Sequence, residues 1–182
     1  MREYKFSQIA HYPTLASVPD ELSAPIIAEI DSYKRALSSL YASHGCSALS
    51  FEVSRAGLGG KGGHAHIQIL PVPDSVPHAQ VEHVFASEAR RAGYSLTDDA
   101  AECQAALREG NYFRVDLPSG KRLVHRIDLR KRFSLQFGRA TAALVLGKAE
   151  RADWKTCAKS DEEEGADAKL FKEAFAKWDP SG

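Results

Sequence analysis

The chain has 182 residues, of which 43% are hydrophobic and 26% are charged, and its formal net charge at pH 7 is zero. This composition is typical of a globular protein, and no apolar run approaches the roughly 20 residues that a membrane helix needs. The sequence therefore predicts no membrane association. Residues 1–6 are rich in charge and form no apolar signal segment, which predicts an intracellular protein. Three widely spaced cysteines indicate reduced thiols rather than disulfides.

The first part of the chain alternates between strand patterns and one amphipathic helix. Ser23 and Pro25 suit the start of that helix, and Gly45 suits its end. Apolar residues at steps of three and four predict its buried face: Ile26, Ile30, Tyr33, Leu37, Leu40 and Tyr41. The predicted elements up to residue 75 are a short strand near 6–10, the helix over 23–44, a strand over 48–53, a glycine-rich loop over 57–63, and a strand over 64–70 that ends at Pro71 and Pro73.

The second part of the chain begins with helical periodicity, changes to period two, and then becomes helical again. Tyr112 and Arg114 should share one face of a strand, with Phe113 and Val115 on the other. The predicted elements are a helix over 79–92, a weaker helix over 96–108, a β-hairpin over 112–127, and two helices near 134–147 and 161–177. The last helix should bury Leu170, Phe171, Ala174, Phe175 and Trp178 on one side.

The zero net charge conceals two segments of opposite sign. Residues 119–159 contain 11 Lys or Arg and 3 Asp or Glu, a balance of +8, whereas residues 160–182 have a balance of −4. Two interpretations of this pattern stay open: the segments could attract each other, or the basic one could bind a polyanion.

The strand predicted over 64–70 carries the residues best suited to chemistry. His64, His66 and Gln68 occupy alternate positions, so their side chains should project from one face. A neutral imidazole can attack phosphorus near pH 7, which makes His66, at the centre, the candidate nucleophile. His64 would orient it, and Gln68 would donate a hydrogen bond to a phosphoryl oxygen. Lys61, in the glycine-rich loop, would add a positive charge close to the anion.

Several phrases of this sequence resemble the C-terminal region of the CwfJ family. The phrase over 62–73, which contains His-x-His-x-Gln-x-x-Pro-x-Pro, resembles the end of the first conserved C-terminal domain, a relative of the histidine-triad fold. Further phrases over 111–113, 122–126, 136–139, 151–154 and 171–175 resemble the second C-terminal domain. Within the family, the form of the first phrase is most similar to the branch associated with the lariat debranching enzyme.

The resemblance implies an α+β fold with two domains. Residues 1–75 would form a truncated histidine-triad-like antiparallel sheet with one helix, and residues 76–182 would form a β-hairpin followed by a helical C-terminal region. Family members usually carry additional strands upstream, so the chain is expected to be a fragment or a shortened product.

The resemblance also implies functions. Histidine-triad hydrolases have a third histidine where this chain has Gln68, as in the galactose-1-phosphate uridylyltransferase variant, so His66 inherits the position of a nucleophile. Family members are better known as RNA-binding splicing and lariat-turnover factors. We therefore expect a nuclear RNA-binding accessory factor, with branched or lariat intron RNA, the lariat debranching enzyme and spliceosome components as partners. The alternatives are a nucleotidyl transferase or hydrolase and a protein-interaction scaffold.

The basic segment supplies a second candidate RNA-binding surface. Its cations alternate with aromatic residues, a mixture that can pair with phosphates and stack on bases. Among the aromatic residues, Phe113, Phe133 and Phe137 fit a buried core better than a stacking platform. The candidate phosphate-binding cations are Arg126, Arg130, Lys131, Arg132 and Arg139. No residue set has a convincing metal-ligand spacing, and no cofactor is predicted.

Overall fold

The computed structural model describes residues 4–7, 12, 14–56 and 65–181. Within these ranges the chain forms five strands and five α-helices, joined in places by short 3-10 turns. They are β1 (Tyr4–Ser7), α1 (Asp20–Ala42), β2 (Cys46–Arg55), β3 (His66–Pro73), α2 (His78–Arg91), α3 (Ala100–Glu109), β4 (Asn111–Asp116), β5 (Arg122–Arg126), α4 (Phe137–Val145) and α5 (Asp161–Phe175). The predicted α+β class is confirmed.

All five strands form one antiparallel sheet in the order β1-β3-β2-β4-β5. The predicted hairpin of β4 and β5 is confirmed, and β4 also pairs with β2 along its whole length, from Asn111 opposite Arg55 to Asp116 opposite Ser50. Strands on both sides of the predicted boundary at residue 75 therefore share one sheet. The division into two domains stays a prediction.

The start of α1 differs from the prediction. The helix begins at Asp20, after Pro19, whereas Ser23 and Pro25 were expected to form its cap and first turn. The N–H groups of Leu22 and Ser23 both donate to the carbonyl of Pro19, which starts the helix early. Acidic residues in this first turn favour the positive end of the helix dipole. Pro25 lies inside the helix, at the cost of one backbone hydrogen bond.

Strand β3 is longer than predicted, and among the described residues its second half pairs with β2 alone. It extends through Pro71 to Pro73, whereas the prolines were expected to end it. Strand β1 pairs with β3 only from His66 to Ile69, and β2 pairs with it from Ile67 to Pro73. Where the described residues place no second strand beside β3, the missing N–H group of a proline is tolerated.

The sheet has two faces with different coverings. The side that carries Phe51 and Gln68 is covered by α2 and α4, and we call it the α4 face. The side that carries Glu52 and Ile67 is covered by α1 and α3, with α5 packed on α1, and we call it the α1 face. The strand alternation predicted for β4 is confirmed, since Phe113 lies in the core of the α4 face.

The C-terminal helices correct two further expectations. Helix α3 begins at Ala100, because the side chain of Asp99 caps the N–H of Glu102, and the residues before it do not continue the helix. Instead, Thr97 bridges to Val124 on β5. In α5 the buried residue is Phe175, whereas Leu170 was expected inside and is 63% exposed.

The core of the α4 face depends on a close approach of α4 to the sheet. Gly138 lies against the ring of Phe51, where a Cβ atom would come within 2.8 Å of Cγ and Cε2 and still closer to Cδ2. Real Cβ atoms are not found at such distances from carbon, so only glycine fits at this contact. Phe137 fills the adjacent space against Phe113, with ring centroids 5.0 Å apart.

This contact yields a prediction for stability. Gly138→Ala should lower the free energy of unfolding by about 1–3 kcal/mol, because the added methyl group overpacks the core. Urea unfolding followed by circular dichroism measures the change. Gly165→Ala is the matched control: Gly165 is inside α5 and has no atom within 4 Å of the position that an added methyl group would take. That control should stabilise the protein by about 0.5–1 kcal/mol. Equal changes in the free energy of unfolding for Gly138→Ala and Gly165→Ala would contradict the proposed overpacking at Gly138.

Candidate phosphate-binding site

His66 and Gln68 lie on the same face of an extended strand, as the sequence predicts. Gln68 is directly opposite Phe51 of β2, and His66 is two residues earlier, so both side chains project from the α4 face. The side chain of Gln68 is buried, with 7% of its surface exposed, while His66 is partly exposed. His64 and Lys61, the other predicted members of the site, lie outside the described residues.

The amino end of α4 contacts the strand next to this pair, at Phe51 of β2. Gly138 rests on Phe51, and Phe51 is the direct neighbour of Gln68 across two strands that are about 4.8 Å apart. In the sequence, residues 136–139 resemble a family phrase, and that resemblance implies no role for Gly138. A glycine in the first turn of a helix was the available signal, because such a glycine allows a close backbone approach.

The basic loop after β5 lies at the same end of the sheet. Because each neighbouring pair of strands is antiparallel, β3 begins where β5 ends. We call this end the His66 end. In the loop that leaves β5 there, Lys131 and Arg132 are exposed, and Arg130 binds Asp128 with both Nε and Nη2 at 3.0 Å. This pairing lowers the pKa of Asp128 to about 2.

Most cations of the hairpin are paired within the chain. Arg126 binds Glu109, and Lys121 binds Glu82 at 2.7 Å and Asp98 at 3.0 Å. These carboxylates all come from outside residues 119–159, so the +8 balance overstates the positive potential at the surface. Of the predicted phosphate-binding cations, Arg126 and Arg130 are therefore partly neutralised.

Arg139 is engaged with the turn that follows α4. Its Nε donates to the carbonyl of Arg151 at 3.0 Å, and its Nη2 lies 3.5 Å from Sγ of Cys157. These contacts fix the 3-10 turns between α4 and α5. They favour a structural role for a side chain that was predicted to bind RNA.

The aromatic residues of the hairpin and of the helix that follows it are core residues. Phe113, Phe133 and Phe137 are buried, in agreement with the preferred interpretation of the sequence, and Tyr112 is buried as well. Burial raises the pKa of Tyr112 well above its ordinary value. The hypothesis that these rings stack on bases is wrong, because none of them reaches the surface.

His125 is a structural residue, as expected for a histidine beside the core. Its Nδ1 is 3.0 Å from the carbonyl oxygen of Ser95, which can only accept, so Nδ1 carries the proton of the neutral ring. The ring stacks near Tyr94 and Phe133, with centroids 5.0 and 5.6 Å away. Burial lowers the pKa of His125, and the hydrogen bond to Ser95 partly offsets this effect.

The α1 face carries an ion network behind the candidate site. Glu52 is 1% exposed and forms an ion pair with Arg114 at 3.1 Å. Burial raises the pKa of Glu52, and Arg114 offsets this only in part. Asp116 accepts hydrogen bonds at 2.6 Å from both Lys34 and Arg122. Burial would raise the pKa of Asp116, but Arg114, Arg122 and Lys34 outweigh it and hold the pKa well below its ordinary value.

The described residues contain no group of three or more His, Cys, Asp or Glu side chains that could hold a metal ion. None of the helices in these ranges combines the length and the hydrophobicity needed to cross a membrane. The described residues at the His66 end include an imidazole, a carboxamide and exposed cations.

These features define an α+β protein whose described strands form one antiparallel sheet, with a histidine and a glutamine on the same face of β3. Residues 7–86 match the family described as "Protein similar to CwfJ C-terminal", and residues 92–180 match the one described as "Protein similar to CwfJ C-terminus 2". The chain belongs to the CwfJ C-terminal family. The resemblance found in the sequence is confirmed.

Three relatives illustrate the extent of the similarity. CWF19-like protein mug161 of Schizosaccharomyces pombe is 40% identical over 171 residues, which are 94% of this chain and 29% of that protein. Zinc finger CCCH domain-containing protein 59 of rice is 33% identical over an alignment of 184 positions, gaps included, which covers 95% of this chain and 28% of that protein. Human CWF19-like protein 1 is 31% identical over 177 residues, 94% of this chain and 31% of that protein. The chain thus spans less than a third of the relatives' length.

The ion network yields a prediction with a defined pH dependence. Asp116→Asn should lower the free energy of unfolding near pH 7 by roughly 1–3 kcal/mol, because two charge-assisted hydrogen bonds weaken. The folded pKa of Asp116 lies below its ordinary value of 3.8, so its ionised form stabilises the fold above that pH. The stabilisation is lost as the pH falls toward the folded pKa.

Urea unfolding of the wild type and of Asp116→Asn, from about pH 7 down to about pH 3, measures this effect. The difference between their free energies of unfolding should shrink at the acidic end. Adding Arg122→Ala to the wild type and to Asp116→Asn completes a double-mutant cycle, which isolates the interaction energy between Asp116 and Arg122. A difference that stays constant over the whole pH range would exclude the ionised carboxylate as its source.

Proposed function

We propose that this chain is an RNA-binding accessory factor in pre-mRNA splicing and intron-lariat turnover. It contacts phosphate groups of the RNA through His66 and Gln68, with Lys131 and Arg132 of the basic loop adding positive charge. Branched or lariat intron RNA is the proposed ligand, spliceosome components and the lariat debranching enzyme are the proposed partners, and the nucleus is the proposed location. Membership of the CwfJ family supports this assignment.

One observation carries the proposal: His66 and Gln68 project together from the α4 face at the end of the sheet where the basic loop emerges. An imidazole and a carboxamide can both donate hydrogen bonds to phosphate oxygens. Exposed cations nearby attract a polyanion and make its binding sensitive to salt. The sequence also predicts His64 and Lys61 as members of the site. Arg126, Arg130 and Arg139 remain predicted phosphate contacts, but they should contribute less because each already has a partner within the chain.

The proposal predicts RNA binding that weakens as salt rises. Fluorescence anisotropy with labelled single-stranded and branched RNA measures the affinity. His66→Ala should weaken binding about tenfold, because one hydrogen bond to a charged group is lost. His78→Ala is the control, since His78 is an exposed histidine at the opposite end of the sheet, where α2 begins. Folded wild-type protein that binds no RNA even at low ionic strength would exclude the proposed function.

The contribution of the basic loop can be measured in the same assay. Replacing Lys131 and Arg132 by alanine should lower the slope of log affinity against log salt by about one for each cation. Lys121→Ala is the matched control, because that cation is already neutralised by Glu82 and Asp98.

A second candidate function, nucleotidyl transfer or hydrolysis, rests on the partial exposure of His66 at the start of β3. An imidazole nitrogen there could attack the phosphorus of a nucleotide and displace its leaving group. Gln68, two residues further on, would donate to a phosphoryl oxygen as negative charge builds up.

This second function predicts a covalent intermediate. Intact-mass spectrometry after incubation with a panel of nucleotides should detect an increase by one nucleotidyl group in the wild type. His66→Ala should abolish the increase, and His78→Ala should retain it. If the protein binds RNA but forms no adduct with any nucleotide, the second function is excluded and the RNA-binding function is retained.

A further inference from the structure

We propose that a cleft at the His66 end of the sheet binds one base of the RNA, with guanine as the preferred base and Glu109 as the group that selects it. The inference rests on the proposed function for its ligand, and it adds base recognition to the phosphate contacts. The cleft has a volume of about 380 Å³ and lies between the end of α3, the start of β4 and the loop after β5. This volume is within the range of small-ligand sites.

Two ion pairs line the cleft, so its formal charge is zero. Arg126 donates through Nε to Oε2 of Glu109, and Arg130 donates to Asp128 through Nε and Nη2, both at 3.0 Å. Two arginines and two carboxylates give a balance of 2 − 2 = 0. A cleft that has no net charge, but has donors and acceptors on its walls, suits a neutral polar group.

The cleft also offers an amide and an apolar surface. Asn111, at the start of β4, can both donate and accept hydrogen bonds through its carboxamide. Leu129 lines the same cleft and is 40% exposed. The guanidinium planes of Arg126 and Arg130 can stack on a flat ring. A stacking surface beside polar groups that reach the edge of the ring is the usual arrangement for binding an unpaired base of RNA.

Hydrogen bonds hold the loop side of the cleft in place. The N–H of Ile127 donates to the carbonyl of Asn111, and the N–H of Lys131 donates to the carbonyl of Asp128, both at 2.9 Å. The carboxylate of Asp128 also accepts from the backbone N–H of Arg130 at 3.0 Å. The cleft is therefore formed before the ligand binds, which lowers the entropic cost of binding.

The carboxylate of Glu109 selects the base. An ionised carboxylate only accepts hydrogen bonds and has about four acceptor positions, of which Arg126 uses one. Among the RNA bases, guanine alone presents two N–H donors side by side on its Watson–Crick edge, and one carboxylate can accept both. Uracil offers a single N–H between two carbonyl groups. Asp128 is less suitable, because its oxygens already accept three hydrogen bonds from Arg130.

The cleft is close enough to the phosphate-binding residues for one RNA strand to reach both. It lies on β4 and β5, two to three strands away from His66 on β3, which is roughly 10–14 Å at a strand spacing of about 4.8 Å. Lys131 and Arg132 follow the cleft in the same loop and are exposed. These cations are available to bind the phosphates that flank the bound base.

The test compares a short oligouridine RNA with the same RNA carrying one central guanosine. Fluorescence anisotropy should show about tenfold tighter binding of the guanosine-containing RNA to the wild type, as expected for one bidentate base contact. Glu109→Gln should remove this preference, because a carboxamide has only one accepting oxygen. Binding of oligouridine should not weaken in this variant, since the change also releases Arg126 from its ion pair.

A control variant and a wild-type measurement accompany this comparison. Glu102→Gln removes the same charge from an exposed position near the start of α3, away from the cleft, and should keep the preference for guanosine. Titration of the wild type with guanosine 5′-monophosphate should shift the side-chain amide resonance of Asn111 in NMR spectra. Uridine 5′-monophosphate at the same concentration should not. This titration decides the inference even if a variant folds poorly.

The outcomes separate this inference from the proposed function. RNA binding without a preference for guanosine overturns the inference, as does a preference that survives Glu109→Gln, and both results leave the proposed function in place. An Asn111 shift specific to the guanosine nucleotide, in a protein that binds neither RNA, supports base binding in the cleft and excludes the proposed function. Absence of both RNA binding and the shift overturns both.

Discussion

The contact between Gly138 and the ring of Phe51 fixes where α4 meets the sheet, and the packing of the α4 face depends on it. The aromatic core around Phe137 packs on the same side and holds the helix there. Phe51 is directly opposite Gln68 on the neighbouring strand, so the residue on which the helix rests also borders the strand that carries His66. The core contact and the candidate site thus share one face of the sheet.

Ion pairs formed in the fold neutralise part of the positive charge that the sequence concentrates in one segment. The segment over 119–159 has a balance of +8, yet Lys121, Arg122 and Arg126 each bind a carboxylate from another part of the chain. Among the exposed cations of this segment, Lys131 and Arg132 lie in the loop after β5, at the His66 end of the sheet, and Lys148, Arg151 and Lys155 lie after α4. The polyanion interpretation of the sequence therefore concerns fewer cations than the charge balance suggests. The acidic C-terminal helix packs mainly on α1, so the two charged segments do not simply neutralise each other.

Features that depend on local pattern were predictable from the sequence, and features that depend on distant partners were not. The faces of β4 and the direction of His66 and Gln68 follow from strand alternation, which needs only neighbouring residues. The early start of α1 was missed because Pro25 was interpreted as a first-turn proline, whereas Pro19 begins the helix. Leu170 was misassigned because only the packing on α1 decides which part of an apolar stripe is buried. The pairing of Gly138 with Phe51 had no local signal beyond the glycine itself.

The joining of β2 to both β3 and β4 has an evolutionary consequence. The two regions that match the family descriptions, 7–86 and 92–180, contribute adjacent strands to one sheet. Residues that meet across this junction, such as Glu52 with Arg114, are constrained as pairs rather than one at a time. A change on one side selects for compensation on the other. Coupled substitutions between the two segments are therefore expected in relatives, at the positions where β2 pairs with β4.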